Sequence, residues 1–192
     1  MPFQNFRQII DLGELQIPIN TGVRTVIIRE ASVNTNLTSV YIRDIPADSF
    51  VIKIQVNHNF RNQFLNIHNN RGINKSCDGI LIAINDGVKY CIFCELKSVS
   101  YKPRDYEYQL INAKLIIDYF KTLLRNFYND ALLENLNFRY ILVYRDRIPK
   151  AGIRSNNPMT FSDEHMIHFA ERIKKIKVNS IAVNNIHFNQ LI

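Results

Sequence analysis

The sequence predicts a single α/β domain built around one mixed β-sheet. The chain has 192 residues, of which 46% are hydrophobic. That is enough for one sizeable core, and a second full domain is not expected. Short β-branched stretches fill residues 1–57. A pair of apolar strands, a long amphipathic helix and a further strand then follow in that order, which is typical of a mixed α/β or α+β domain.

The first 57 residues form a strand-rich N-terminal part. We expect strands at Val23–Glu30, Ser39–Ile45 and Ser49–Val56, because each stretch is short, β-branched and partly alternating. Turns rich in Asn and Asp separate them. Residues 57–77 are polar and give a weaker signal, which favours a short helix around Phe60–Ile67.

The centre of the chain has the clearest pattern. Two apolar strands, Asp78–Asn85 and Val88–Ser98, flank an Asp-Gly pair that is typical of a two-residue type I′ turn. A helix is expected over Arg104–Phe127, with Pro103 suited to its first turn. Its apolar positions recur every three or four residues: Leu110, Ala113, Ile117, Phe120 and Leu124.

The last third of the chain contains three further expected elements. A strand is predicted over Phe138–Asp146, and a basic loop follows it. A helix is predicted over Ser162–Lys177, with Ser162 as its N-cap. The tail "SIAVNNIHF" favours a final strand.

The turn assignment has a direct consequence for the charged residues of the hairpin. With Asp86 and Gly87 at the centre of the turn, Asp78 lies opposite Glu95, and their Cβ atoms are about 5 Å apart. Lys97 lies two residues beyond Glu95, on the same face and roughly 7 Å along the strand. A longer turn would shift the register and separate the carboxylates.

Two interpretations of this cluster remain open. Like charges placed opposite each other are destabilising, and the apolar runs around them leave little water for screening. A divalent cation would compensate, because Mg²⁺ takes carboxylate, water and phosphate oxygens and can activate water for phosphoryl displacement. The alternative is an ordinary solvated strand end in which Lys97 pairs with one carboxylate.

The order of these features resembles the PD-(D/E)xK nuclease superfamily, the restriction-endonuclease-like fold. The resemblance covers about residues 75–145. It rests on "CDGILIAINDGVKYCIFCELKS" and on the following helix, which carries Gln109. Cys77 stands where the family motif has proline. The resemblance implies a restriction-endonuclease-like core, with a mixed central sheet flanked by helices.

The resemblance also implies roles for individual residues. Asp78 and Glu95 would bind the metal, Mg²⁺ or alternatively Mn²⁺. Lys97 would assist the nucleophilic water, and Gln109 would support the site; the alternative for Gln109 is a capping or core-edge amide. Many family members have a further acidic residue before the first core strand, for which Glu30 and Asp48 are candidates without convincing context.

The implied activity is that of a metal-dependent endonuclease, a hydrolase of phosphodiester bonds, with DNA favoured over RNA. A role in DNA processing or prokaryotic defence follows from the same analogy, as do a helicase or ATPase partner and a homodimer. Two alternatives remain: a non-catalytic nucleic-acid-binding or assembly subunit with this fold, and an RNA-directed nuclease.

The formal net charge of +7 favours a polyanionic partner. Several basic residues near the hairpin are candidates for contacts with phosphates: Lys102, Arg104, Arg145, Arg147, Lys150 and Arg154, with Arg61 and Arg71 before Asp78. A second basic group is expected at a solvated helix end: Arg172, Lys174, Lys175 and Lys177. The tyrosines near the site could stack on bases, although packing is the more common role: Tyr101, Tyr106 and Tyr108.

Other classes of protein lack their signals. No apolar run approaches the ~20 residues of a membrane span, and the N-terminus lacks the pattern of a signal peptide, so we expect a cytoplasmic protein without a membrane partner. Cys91 and Cys94 should point to opposite faces of a strand, which favours buried thiols over a zinc site. The five histidines are expected to be structural or exposed. P-loop and nucleophile-elbow motifs are absent from the sequence.

Overall fold

The computed structural model describes residues 4–10, 15–16, 19–21, 23–29, 39–52, 76–97, 103–145, 172–178 and 184–192. These residues form helices, strands and a short 3-10 helix at Phe188–Gln190. The helices are α1 (Phe6–Ile9) and α2 (Pro103–Tyr128). The strands are β1 (Leu15–Gln16), β2 (Ile19–Thr21), β3 (Val23–Arg29), β4 (Ser39–Arg43), β5 (Ser49–Ile52), β6 (Gly79–Asn85), β7 (Val88–Lys97), β8 (Asn137–Tyr144), β9 (Ile173–Lys177) and β10 (Asn185–His187).

The strands form two mixed sheets, so the prediction of an α/β class is confirmed and the prediction of one sheet is wrong. The central sheet has the order β1-β5-β6-β7-β8-β9. Its pairs are antiparallel as far as β7, and β7, β8 and β9 run parallel. The second sheet has the order β10-β4-β3-β2, with β10 parallel to β4. Local alternation identifies strands but does not specify their partners, which is why the second sheet was missed.

Helix α2 covers one face of the central sheet. The five apolar positions predicted for its buried stripe are all buried, and they share one core with Ile80 and Ile82 of β6 and with Phe93 of β7. Phe6 of α1 joins this core and meets the Phe120 ring edge to face, with ring centroids 5.7 Å apart. The predicted helix is therefore confirmed, and it places the first turns of α2 over the carboxyl end of β7.

The second sheet covers the other face of the central sheet. Val26 and Ile28 of β3 and Ile42 of β4 form a second core with residues of β6 and β7 such as Leu81 and Ile92. Burial alternates along β4, as expected for a strand with one buried face. Helices were expected on both faces, whereas in the described residues a sheet occupies one of them. The layer order is helix, sheet, sheet.

The C-terminal part contains one clear correction. Residues 173–177 form β9, parallel to β8, where a helix was predicted as far as Lys177. Pairing with β8 satisfies backbone groups that a local helix would have satisfied internally, so tertiary contacts override the local pattern. The first part of that predicted helix, residues 162–171, lies outside the described residues, as does the polar segment 57–75. The predicted tail strand is confirmed as β10.

The helices of the described ranges include none that combines the length and the apolar character needed to cross a membrane.

Candidate active site

The Asp86-Gly87 turn sets the register of the β6–β7 hairpin. Asp86 and Gly87 have φ angles of 50° and 77°, so both adopt the left-handed conformation that a type I′ turn requires. Pairing runs from Asn85 opposite Val88 to Gly79 opposite Cys94. The predicted turn and register are confirmed. The ladder ends one residue short of the predicted pair of Asp78 and Glu95, because β6 begins at Gly79 and Asp78 lies at a bend just before it.

Glu95 lies on the face of the sheet that α2 covers, because it is two residues from Phe93 of β7, which packs in the helix-side core. Asp78 lies at a bend just before β6, next to Cys77, which packs in the same core. Asp78 is 8% exposed and Glu95 is fully buried. The two carboxylates are therefore buried and do not lie on a solvated strand end.

Asp78 is held by the backbone of the opposite strand. Its Oδ2 accepts a hydrogen bond from the N–H of Leu96 at 2.7 Å. Strand β6 begins only at Gly79, so the Asp78 side chain takes an N–H that lies beyond the end of the ladder. This contact fixes the carboxylate beside the backbone that links Glu95 to Lys97.

Lys97 forms an ion pair with Glu95. Its side chain is 18% exposed, whereas the Glu95 side chain is 1% exposed. The pairing of Lys97 with one carboxylate was predicted for a solvated strand end, but here the pair is largely buried. Taking two charges out of water costs several kcal/mol per ion before their attraction is counted.

Gln109 connects α2 to the segment that precedes Asp78. Its Nε2 donates a hydrogen bond to the Ser76 carbonyl oxygen at 3.0 Å. The side chain therefore points to the sheet, as its place beside the apolar stripe predicted. The contact restrains the chain two residues before Asp78, which suits a positioning residue.

Glu107 is a buried carboxylate that the sequence analysis missed. It is 7% exposed and follows Tyr106, a core residue that is 2% exposed. The further acidic residue was expected upstream of the hairpin, whereas Glu107 lies downstream of it, at the edge of the α2 stripe. Glu107 is three residues before the buried Leu110, and residues at this spacing share one face of a helix. This spacing in the sequence therefore indicates that Glu107 faces the core.

The upstream acidic candidates do not reach the site within the described residues. Asp48 is exposed, and its carbonyl oxygen accepts the N–H of Ile84, near the turn end of β6. Ile84 is six residues from Asp78, or about 20 Å at 3.3 Å per residue. Glu30 lies outside the described residues.

The thiols beside the carboxylates remain protonated. Burial raises the pKa of Cys77 well above its ordinary value, and the charges of Glu95 and Asp78 raise it further. Burial and the charges of Asp78 and Glu95 also raise the pKa of Cys94. Cys91 packs in the helix-side core and Cys94 in the core between the sheets, so the two point to opposite faces. The prediction of free, buried thiols is confirmed.

The donor set suits a hard divalent cation. Asp78 and Glu95 supply carboxylate oxygens, the ligands that Mg²⁺ and Mn²⁺ prefer. The described part of the chain contains no group of three or more His, Cys, Asp or Glu side chains that could hold a metal ion. Two carboxylates are still sufficient for Mg²⁺, which usually keeps several waters and also binds substrate phosphate.

The predicted phosphate contacts are only partly covered by the described residues. Arg145 follows β8, and its backbone N–H donates to the Lys97 carbonyl oxygen at 3.2 Å, which places this residue next to the site. Arg104 lies in the first turn of α2. The remaining candidates lie outside the described residues: Lys102, Arg147, Lys150, Arg154, Arg61 and Arg71.

Only some of the aromatic and histidine candidates lie within the described residues. Tyr106 is buried in the core, so it cannot stack on a base, and Tyr108 is half-buried. His187 is exposed and pairs with Asp44, far along the chain from the hairpin. Tyr101 and the other four histidines lie outside the described residues.

Comparison of the chain with protein-family models, with curated proteins and with solved structures finds no match.

Proposed function

We propose that this protein is a metal-dependent nuclease of the PD-(D/E)xK type, with a restriction-endonuclease-like core, that hydrolyses phosphodiester bonds in DNA. The observation that carries the proposal is the meeting of Asp78, Glu95 and Lys97 at one end of the central hairpin, where both carboxylates are buried. Two carboxylates and a lysine are the groups that such a hydrolysis needs.

The energetic cost of the cluster supports a functional role. Replacing a buried ion pair with well-packed apolar residues is often neutral or stabilising. Cys94 and Leu96, the neighbours of Glu95 along β7, are buried apolar residues, so an apolar side chain would suit this position for folding alone. Departures of this kind from the local folding rules are expected at functional sites.

Each residue has a part in the proposed reaction. Asp78 and Glu95 would hold Mg²⁺, which supplies Lewis-acid activation of water and charge stabilisation when bound. The Lys97 ammonium group would orient the attacking water and stabilise the negative charge that develops on the phosphate oxygens. Gln109 would keep the segment before Asp78 in place through its bond to Ser76. Water attacks phosphorus and releases one proton to the solvent, the bond to the leaving oxygen breaks, and that oxygen takes up one proton from the solvent.

A cleavage assay with matched variants tests the proposal. The purified protein is incubated with supercoiled plasmid, linear DNA and RNA in Mg²⁺, Mn²⁺ or EDTA. Asp78→Asn and Lys97→Met are expected to abolish cutting. Asp86→Asn and Lys89→Met change the same residue types at the turn end of the same hairpin, and they are expected to retain it.

The outcomes separate the alternatives. Cutting that survives both Asp78→Asn and Lys97→Met would show that the proposed site is wrong. Cutting confined to RNA would identify an RNA-directed nuclease. Binding of nucleic acid without cutting, under every metal condition, would favour a non-catalytic subunit that retains the fold.

A further inference from the structure

The parallel strands β7, β8 and β9 bring a second set of cations to the edge of the sheet that carries the candidate active site. Their pairing places Glu95 beside Leu142 and Leu142 beside Lys175, in one row across the sheet. Two residues further along, the next row on the same face contains Lys97, Tyr144 and Lys177. The site and the two lysines of β9 therefore lie at the same height along the strands.

Side-chain alternation puts these lysines on the same face as the site. Ile173 of β9 packs in the helix-side core, with Phe93 of β7. Lys175 and Lys177 follow it at two-residue steps and share its face. Ile176 packs in the core between the sheets, and Lys174 shares that opposite face.

The two lysines are available to a ligand. Both are exposed, and among the described strands β9 is the last at this side of the central sheet. Among the residues that the structure describes, neither forms an ion pair with an acidic side chain. Adjacent strands are about 4.8 Å apart, so β9 lies about 10 Å from β7.

We propose that Lys175 and Lys177 form a phosphate-binding track that holds the backbone of the substrate strand beside the cleaved bond. This inference rests on the proposed nuclease function and identifies where the flanking part of the substrate lies. A distance of about 10 Å corresponds to about three nucleotides at a rise of 3.4 Å per nucleotide of one strand. The track runs from Lys97 across β8 to the edge of the sheet.

The chemistry of the track fits a nucleic-acid backbone. Lysine presents a compact point charge on a flexible stem, which suits phosphate oxygens and carries no base specificity. Tyr144 lies between the two cations of its row and is half-buried, so it can cover one side of the bound strand. The track should therefore contribute affinity and salt dependence, but not sequence preference.

Salt-dependent binding, measured on the non-cutting Asp78→Asn background, tests the track. Lys175→Gln and Lys177→Gln together should reduce the slope of log K against log[salt] by about 1.4 for single-stranded and about 1.8 for double-stranded DNA. Lys175→Gln alone should give half of that reduction. Lys174→Gln removes the same charge from the same exposed strand on the opposite face, and it should leave the slope unchanged.

Cleavage by the otherwise wild-type chain separates this inference from the proposed function. The double variant should raise KM and leave kcat unchanged, because the lysines bind flanking phosphates and do not touch the reacting atoms. If the wild-type chain cuts DNA and the double variant behaves like Lys174→Gln, the track is wrong and the nuclease function stands. If the slope falls as expected but no metal supports cutting, the track is supported and the nuclease function is wrong.

Discussion

The Asp78 carboxylate accepts a hydrogen bond from the backbone N–H of Leu96, the residue between Glu95 and Lys97. This bond joins the start of β6 to the end of β7 beyond the last backbone pair of the hairpin. The position of one carboxylate is thus tied to the backbone that carries the other two functional groups. A change at Asp78 should therefore affect both the chemistry of the site and the stability of the hairpin end.

Two substitutions of Asp78 should separate these effects. Asp78→Ala leaves the buried Leu96 N–H without this acceptor, and we expect a loss of about 1–3 kcal/mol in the free energy of unfolding. Asp78→Asn keeps an acceptor oxygen, so its loss should be smaller. Both should abolish cutting. Urea denaturation measures the difference, and equal stability of the two variants would show that the Leu96 bond contributes little.

Removal of the Lys97 charge should destabilise the fold when no metal is present. Lys97→Met removes the cation beside a fully buried carboxylate, which typically costs about 3–5 kcal/mol. Adding Glu95→Gln to the same chain should recover most of that loss, because no buried charge then remains at that position. Urea denaturation in EDTA is the measurement.

The exposed pair of Lys114 and Asp118 on α2 provides the control for Lys97. Their side chains are 36% and 42% exposed, and they are four residues apart on one helix. Lys114→Met should cost below about 1 kcal/mol, as is typical of such pairs. A similar small loss for Lys97→Met would show that the Glu95–Lys97 pair is effectively solvated.

The hairpin and the long helix were predictable because local chemistry determines them. Asp86 and Gly87 specify one turn type, and that turn fixes every pair down to Gly79 and Cys94. The apolar spacing of α2 likewise determines its buried face, and with it the inward position of Gln109. The neighbours of Asp78, Glu95 and Lys97 could therefore be inferred without knowledge of any distant contact.

The remaining parts depend on contacts between distant segments. The sequence of residues 173–177, Ile-Lys-Lys-Ile-Lys, lacks the alternation of apolar and polar residues that identifies a strand. Pairing with β8 makes this segment a strand. The track of Lys175 and Lys177 was missed for this reason, because a solvated helix end was expected there. The second sheet was missed because β10 joins β4 from the far end of the chain.

Substitution of Gln109 should weaken the site through Asp78. Gln109→Ala removes the bond to Ser76, and we expect a 10–100-fold loss in activity or metal affinity, which is typical of residues that orient ligands. A higher Mg²⁺ concentration should restore part of the cleavage rate of Gln109→Ala, but it should not restore the cleavage rate of Lys97→Met. Thr122→Ala, an exposed change on the same helix, is the control. A loss that does not depend on metal concentration would contradict a positioning role.

Alkaline pH should destabilise the protein through its buried thiols. Burial raises the pKa of Cys77, Cys91 and Cys94 above their ordinary value of 9.0. Above pH 9 the unfolded chain releases these protons and the folded chain retains them, so stability falls as pH rises. Each thiol should contribute about 1.4 kcal/mol per pH unit. Cys91→Ala should reduce the slope of unfolding free energy against pH by that amount, and an unchanged slope would show that Cys91 ionises in the folded state.

The packing of the two sheets can be tested at Gly79, the residue after Asp78. A Cβ atom at Gly79 would lie 3.3 Å from three side-chain carbons of Ile28 on β3. Gly79→Ala should therefore cost about 1–3 kcal/mol by overpacking. Ile28→Val removes one of these carbons, so the double variant should be more stable than the sum of the two single changes predicts, by about 0.5 kcal/mol or more.

Gly87→Ala is the matched control for this cycle. A Cβ atom at Gly87 meets no atom within 4 Å, and φ there is 77°. The substitution should therefore cost about 1–2 kcal/mol from backbone strain alone. Combined with Ile28→Val, it should be additive, since the two residues share no contact. If Gly79→Ala and Ile28→Val are also additive, the Ile28 side chain of the second sheet does not pack against Gly79 of β6. The layer order of helix, sheet and sheet would then be wrong beside Asp78.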